Sequence, residues 1–557
     1  MLVPDLTTGD VTLSGADPTG VTDSTGAIAI AAAAAGFVVL PAGNYKVTTA
    51  TLDVPIYFEP GAYLTVVAAN TYTITAPITS SRQHIFRGSG LVALTHDSDG
   101  GENARQVHVS WFGAFGSASA TTTDQGPAIQ RALTAMGNGR ESELLFDFGN
   151  YNLNTAMVLT RGAHIKGSGT RRTVFRTEVD GFDLFTTGNV ACKFSDIQFE
   201  LNTAVLTART GGYCIRISHG ECEVYNVDFV GMLGVVTTAN NTRIDNLRGA
   251  FGSYLGAGSA MVWVAGGSGA RVSNIQAGTS TFGPEALVRV GGTGGAIVSG
   301  FSIENVYHIA PAASVHVEAF AGDVVRGTIG NVVYNGSGGT APTYGMKFAS
   351  SGAHDLSDIL VSGVVIGSYA TNGILLDQAS SGTMEDITFD NVDIHGSSGI
   401  GMQFTRTAGV LQGIKVGDTC DVSERATPYG HTGSTTILQA RISPMAIPDA
   451  GPAVSWTWNL ADDTVQVINL ERSIFTGVGI LSCAGTHYGM FVVRAASSPA
   501  VTAMITSSAS VNSTTGVLAG TTGTDTKLTL SAVDKVIYIE NRLGSSQAVH
   551  FTLLTGL

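Results

Sequence analysis

Apolar and polar residues alternate along most of this chain in short runs divided by glycine, serine and asparagine. Two strand-like patterns recur. The first reads KFSDIQF (193–199), EVYNVDF (223–229), RIDNLRG (243–249), RVSNIQA (271–277), IVSGFSI (297–303), DLSDILV (355–361) and MEDITF (384–389), mostly an apolar residue, then Asn, Asp or Gly, then an apolar residue. The second reads YCIRIS (213–218), MVWVAG (261–266), LVRVGG (287–292), VHVEA (315–319), GMKFAS (345–350), GILLDQ (373–378) and GIGMQF (399–404). Period-two alternation of this kind predicts strands with one buried face.

The pattern repeats. Apolar positions from Ile197 to Ile414 (Ile197, Val227, Leu247, Ile275, Phe301, Ile329, Ile359, Ile387 and Ile414) recur about every 27 residues. A repeat this short cannot bury its own apolar face and must stack on its neighbours. Several short strands per repeat without helical periodicity predict an all-β fold, a right-handed parallel β-helix. A propeller blade needs about 40 residues or more. The recurrent Asp196, Asn226, Asn246, Asn274, Asp358 and Asp386 are expected at a bend of each coil, bonded to backbone or stacked on the copy one coil below.

Upstream, a different module occurs twice, at 15–47 and 111–153. Each copy has a Gly-rich loop, an aspartate (Asp23, Asp124) before a short alanine-rich helix, a strand, and a Gly-Asn-Tyr turn. The aspartate suits the helix N-terminus, and the helix suits a cap over open strand edges. This pattern resembles the N-terminal module of pectate-lyase-like β-helices, frequent in bacteriophage tailspikes and capsule depolymerases. Each loop here holds one aspartate where that pattern holds two. The resemblance implies a bacterial surface polysaccharide as substrate, a homotrimer, contact with other phage tail proteins, and a place on the virion tail.

After Thr419 the repeat stops. Residues 424–436 read as a linker, and 437–557 as short alternating strands of a β-sandwich, similar to terminal sandwich domains of phage tail proteins. The expected organisation is therefore an N-terminal head module with short capping helices (1–105), a parallel β-helix (106–423) and a C-terminal β-sandwich (424–557) for trimerisation or glycan binding. Trp456 and Trp458 alternate on one face there, as sandwich core, trimer contact or sugar platform.

Composition narrows the classes. Charged residues are 13% of 557 and the net charge is −14, with 29 Lys and Arg in all. An acidic chain without a basic cluster argues against nucleic acid as partner. The longest apolar run, Ala27–Leu40, is too short to span a membrane, and no signal peptide is visible at the N-terminus. Five cysteines without a C-x-x-C pair are expected as buried thiols. No metal or cofactor motif is present; the DSDG turn (97–100) is at most a weak calcium site, and 219–223 reads as a turn.

In the second strand set, apolar residues point inward and the residue between them faces out. That outward column reads Arg216, Trp263, Arg289, His316, Lys347, Leu375 and Gln403. An aromatic platform with cations suits an anionic glycan; a solvated or partner-covered face is the other reading. The next column holds Glu318 and Asp377, two coils and roughly 9.6 Å of backbone apart, with Ala349 between them. Inverting glycosidases separate their carboxyls by about 6.5–9.5 Å, so Glu318 and Asp377 fit a general acid and base. A lyase would instead use His316 as base, with Arg289 and Lys347 neutralising a uronate carboxylate. A further cluster, Glu200, Asp228, Arg248 and Glu304, reads most simply as salt bridging between Asp228 and Arg248.

Overall fold

The structure, a computed structural model, describes residues 6–95, 106–118, 123–136, 142–201, 211–250, 259–278, 285–308, 313–335, 344–367, 372–395, 400–417, 419–422, 427–433, 439–442, 453–469, 474–483, 487–496, 501–533 and 536–555. The DSDG turn lies outside them. The chain divides into two compact units, Met1–Gly249 and Ala250–Leu557.

The N-terminal unit is built of parallel coils from its start. Gly43–Val47, Ala62–Val66 and Phe86–Gly88 stack in one sheet, with two further parallel sheets beside it. Helix α1 (Thr25–Ala35) and helix α2 (Gly126–Ala135) interrupt the coils. In each case the expected aspartate accepts the N–H of the first helical turn: Thr25 donates to Asp23 at 3.0 Å and Gly126 to Asp124 at 2.9 Å. From Gln106 onward, strands such as Lys193–Leu201 and Glu223–Val230 pair in parallel, one coil apart.

The C-terminal unit continues the same construction. One wall comprises β1 (Ala260–Val264), β2 (Ala286–Val290), β3 (Ala313–Ala319), β4 (Tyr344–Ser350), β5 (Asn372–Gln378) and β6 (Ile400–Arg406), each parallel to the next. Their inward residues, including Val262, Val288, Val315, Met346, Ile374 and Met402, are fully buried. Both units are therefore parallel β-helix, with a core drawn from alternate positions, mainly aliphatic in the C-terminal unit and rich in rings such as Phe175, Phe185, Phe194 and Phe199 in the N-terminal one. Thr427–Gly433, expected as linker, instead adds a parallel strand beside β6.

The polar bend positions form two columns in the C-terminal unit, not one. Asn274, Asn305, Asn331, Gly363 and Asn391 share the first; Arg326, Asp358, Asp386 and Gly413 share the second. All have left-handed backbone, with φ between 50° and 64°, a conformation asparagine and aspartate tolerate better than most residues. The stacking expected of these side chains is present where asparagines meet. Asn305 donates to Asn274 at 3.0 Å and Asn331 to Asn305 at 3.2 Å. In the N-terminal unit Asn226 donates to Asp196, and Asn246 to Asn226.

Beyond the coils, Ala453–Leu460, Gln547–Thr555, Ile474–Cys483, His487–Ala496 and Val501–Ser507 form a five-stranded antiparallel sheet, and Val536–Asn541 pairs antiparallel with both Thr464–Asn469 and Leu528–Val533. Trp458 is buried, as sandwich core would require; the Trp456 side chain lies outside the description. All five cysteines are buried and none is in a disulfide. Among the described residues no helix is long and apolar enough to cross a membrane.

Candidate functional site

Register decides whether distant residues share a surface. Trp263 pairs with Arg289, Arg289 with His316, His316 with Lys347, Lys347 with Leu375 and Leu375 with Gln403. The second column is aligned as well: Glu318 pairs with Ala349, Ala349 with Asp377 and Asp377 with Thr405. Five of the predicted site residues thus stand on three successive strands, β2 to β4, plus β5 for Asp377, with Trp263 one coil before them.

The side chains interlock rather than standing separately. Arg289 Nη2 donates to Glu318 Oε2 at 2.7 Å, and Ser351 Oγ donates to Glu318 Oε1 at 2.9 Å. The Arg289 guanidinium also lies 5.0 Å from the centre of the Trp263 ring, a cation–π arrangement. Trp263 is fixed by its Nε1, which donates to the Gly291 carbonyl at 3.0 Å. Lys347 Nζ sits 5.4 Å from the Tyr344 ring centre and has no carboxylate partner among the described residues.

His316 departs from expectation. It occupies the outward column, yet only 2% of its side chain is exposed. Its Nε2 is 3.7 Å from Glu318 Oε2 and its Nδ1 3.9 Å from Glu285 Oε1, and neither ring nitrogen has a hydrogen bond. The Tyr344 ring approaches it edge-on at 6.4 Å. Burial, then the charges of Lys347 and Arg289, hold its pKa well below the ordinary histidine value, against the opposing pull of Glu318, so the imidazole is neutral at neutral pH. For Glu318, burial opposes ionisation, but the electrostatic pull of the neighbouring His316 ring, the Arg289 charge and the hydrogen bonds from Ser351 and Arg289 outweigh it and hold its pKa below the usual range. Asp377 is half-buried and has no hydrogen bond or ion pair among the described residues.

Arg216 stands in the N-terminal unit, on Ile215–Ile217, where Asp183 binds its guanidinium. Asp228 meets Arg171 at 3.6 Å, while Arg248 acts on it only at longer range; Glu200 pairs with Arg176 at 3.1 Å. Residues 219–221 form a bend and turn, and Glu223, which opens the next strand, pairs with Lys193. Among the described residues no group of three His, Cys, Asp or Glu converges as a metal site.

No sequence-family profile and no curated protein matches the chain. Solved structures of similar fold include an exopolygalacturonase from Thermotoga maritima, 11% identical over 66% of this chain and 91% of its own, with a TM-score of 0.37. An Acinetobacter phage tailspike protein is 12% identical, covering 82% of this chain and 88% of its own, with a TM-score of 0.28. The Agl-KA catalytic domain is 16% identical over 68% and 69%, with a TM-score of 0.36. At such values nothing about chemistry transfers.

Three participants escaped the sequence reading. Glu285, Tyr344 and Ser351 sit at or just outside strand ends, where alternation gives no signal; only their closeness to positions 289, 347 and 349 along the chain pointed to them.

Proposed function

We propose that this chain is a polysaccharide depolymerase of the tailspike type, which binds an acidic bacterial surface glycan on the β1–β5 wall and cleaves it by glycosidic hydrolysis. The observation that carries the reading is the register-aligned group Trp263, Arg289, His316 and Lys347 with Glu318 and Asp377 in the adjacent column. Trp263 offers an aromatic face for a sugar ring, and Lys347 an uncommitted cation for a carboxylate. Glu318, ionised and fixed through both oxygens, takes a proton from water as that water attacks the anomeric carbon. Asp377 serves as the proton donor to the departing glycosidic oxygen. The two carboxyls exchange these protons with solvent before the next turnover.

Elimination is the second reading, favoured by one feature: a neutral His316 between Arg289 and Lys347. There the imidazole would remove the proton beside a uronate carboxylate as the adjacent C–O bond breaks. A virion-tail location and a homotrimer follow from the motif resemblance. Association of copies is supported by the exposed apolar Tyr488, Val492, Met504 and Ile505 on the antiparallel sheet, which we assign to a C-terminal β-sandwich. A non-catalytic receptor-binding role is the outcome if the glycan is bound but not shortened.

The test is incubation with purified surface polysaccharide, followed by sizing and end-group analysis. Hydrolysis predicts shorter chains with new reducing ends and no ultraviolet absorbance from an unsaturated sugar. That absorbance would establish elimination, and an unchanged polymer would refute catalysis on that glycan.

A further inference from the structure

The N-terminal unit holds an open groove of about 660 Å³ that shares no residue with the wall. Arg82, Arg171, Arg172, Phe148, Asn150 and Ser117 line it. Three arginines converging in a chain of net charge −14 is already unusual. Two of them are anchored from beneath: Arg82 Nη1 meets Asp147 at 2.9 Å, and Arg171 Nε meets Asp228 at 3.6 Å. The acids lie deep, with side chains 17% and 8% exposed, while those arginines are 63% and 80% exposed. Asp228 thus holds Arg171 through Nε and leaves its two terminal nitrogens for the groove, while Asp147 takes one terminal nitrogen of Arg82. Arg172 is exposed and has no ion pair among the described residues.

Phe148 is 67% exposed, a large solvent-facing ring beside these charges. Its turn is pinned. Ser117 and Asn150 exchange backbone hydrogen bonds at 3.1 and 2.8 Å, and Asn150 Nδ2 also donates to the Ser117 carbonyl at 3.1 Å. A Cβ on Gly116 would lie 2.2 Å from the Phe148 carbonyl oxygen, so the two segments approach as closely as backbone permits. Arg171 is held in left-handed backbone, φ 65°, a strained conformation for arginine.

We propose that this groove is a second glycan-binding site, for a short carboxylated saccharide. The Phe148 ring supplies a face for a sugar, Arg171 and Arg172 the planar forks that match a carboxylate, and Asn150 hydrogen bonds to hydroxyls. Its volume suits a few sugar units. Nucleic acid is disfavoured, because the groove offers one aromatic surface rather than a basic track with successive stacking rings.

The experiment is calorimetric titration of the full chain with an oligogalacturonate trimer, its methyl-esterified form and oligothymidylate, at two salt concentrations. The native chain is expected to bind the acid trimer, to bind the ester at least tenfold more weakly, and to lose affinity with salt. Arg172→Ala and Phe148→Ala are each expected to weaken this binding at least tenfold while cleavage at the wall persists. Both residues are exposed, so both variants are expected to fold; if Phe148→Ala does not, Arg172→Ala alone decides. Lys347→Ala, on the wall, should leave groove binding unchanged, which separates failure of this site from failure of the wall. Unchanged affinity in Arg172→Ala, equal binding of the ester, or tighter binding of oligothymidylate overturns the proposal.

Discussion

Arg289 donates to Glu318 across one coil, at 2.7 Å, with both side chains about 15% exposed. The pair holds Glu318 ionised and locks Arg289 against Trp263. Removing the cation leaves a mostly buried carboxylate with only Ser351 to bond it. Arg289→Ala is expected to cost about 3 kcal/mol in urea unfolding. Arg289→Leu combined with Glu318→Leu should cost less than the single variant, because neither charge is then stranded. Equal stability of Arg289→Ala and the native chain would show that the pair is solvated.

Glu318→Gln keeps the shape and loses the proton acceptor. Turnover on the surface polysaccharide is expected to fall about 10²- to 10⁴-fold, with binding retained. Asp377→Asn should fall comparably. If instead His316→Gln abolishes turnover while both carboxylate variants remain active, elimination is the chemistry.

Buried histidines, His308 and His316 among them, make stability depend on pH. Burial lowers His308 to about 3, and His316 is also held low. Unfolded imidazoles bind protons near pH 6.5. Between pH 6.5 and about 3 the unfolded chain thus holds more protons than the folded one, and stability falls as pH falls. Each histidine contributes a slope of up to about 1.4 kcal/mol per pH unit in that window. Glu318, with its lowered pKa, adds a further loss that sets in below about pH 4.5, where the unfolded carboxylate begins to bind protons and the folded one does not. Unfolding midpoints measured across this range should show His308→Leu with a shallower slope than the native chain; an unaltered slope would place the titration elsewhere.

The asparagine column separates backbone from side-chain effects. Asn305 is exposed, has φ 57°, and bonds both Asn274 and Asn331. Asn305→Ala loses both bonds and strains the left-handed backbone, at a cost of about 2 kcal/mol. Asn305→Gly loses the bonds but relieves the strain, and is expected to be about 1 kcal/mol more stable than the alanine variant in thermal unfolding. If alanine and glycine are equivalent, conformation is not what selects asparagine here.

How much of this was legible follows from what each signal measures. Alternation fixed which residues of β1 to β6 point inward, and the repeat length fixed which coils are neighbours; together they aligned Trp263, Arg289, His316 and Lys347 correctly. Neither signal reports what lies over a residue, so the burial of His316 was invisible. Arg216 has the same outward alternation, but its partner Asp183 lies outside the repeated motifs. The bend residues were read as one column because each coil was assigned one bend; Asn305, Asn331 and Asn391 mark a second. Thr427–Gly433 contains Pro428 and two glycines, a turn-like composition, yet it pairs along the edge of β6.

Lys347 gives the sharpest test of substrate recognition. Arg289 is already neutralised by Glu318, so its charge is not available to a ligand at full strength. Lys347, one coil beyond His316, lies over Tyr344 without a carboxylate partner among the described residues. On the proposed function, a substrate carboxylate would therefore be read by Lys347 more than by Arg289. Lys347→Ala is expected to raise KM for an acidic glycan about tenfold, in line with loss of a charge-assisted contact worth about 1.5 kcal/mol. Because this contact is made equally in ground and transition states, kcat should change little. The KM effect should shrink at high salt and vanish on a carboxyl-reduced substrate. A fall in kcat at constant KM would instead place Lys347 at the reacting bond, and the elimination chemistry would then account for it better.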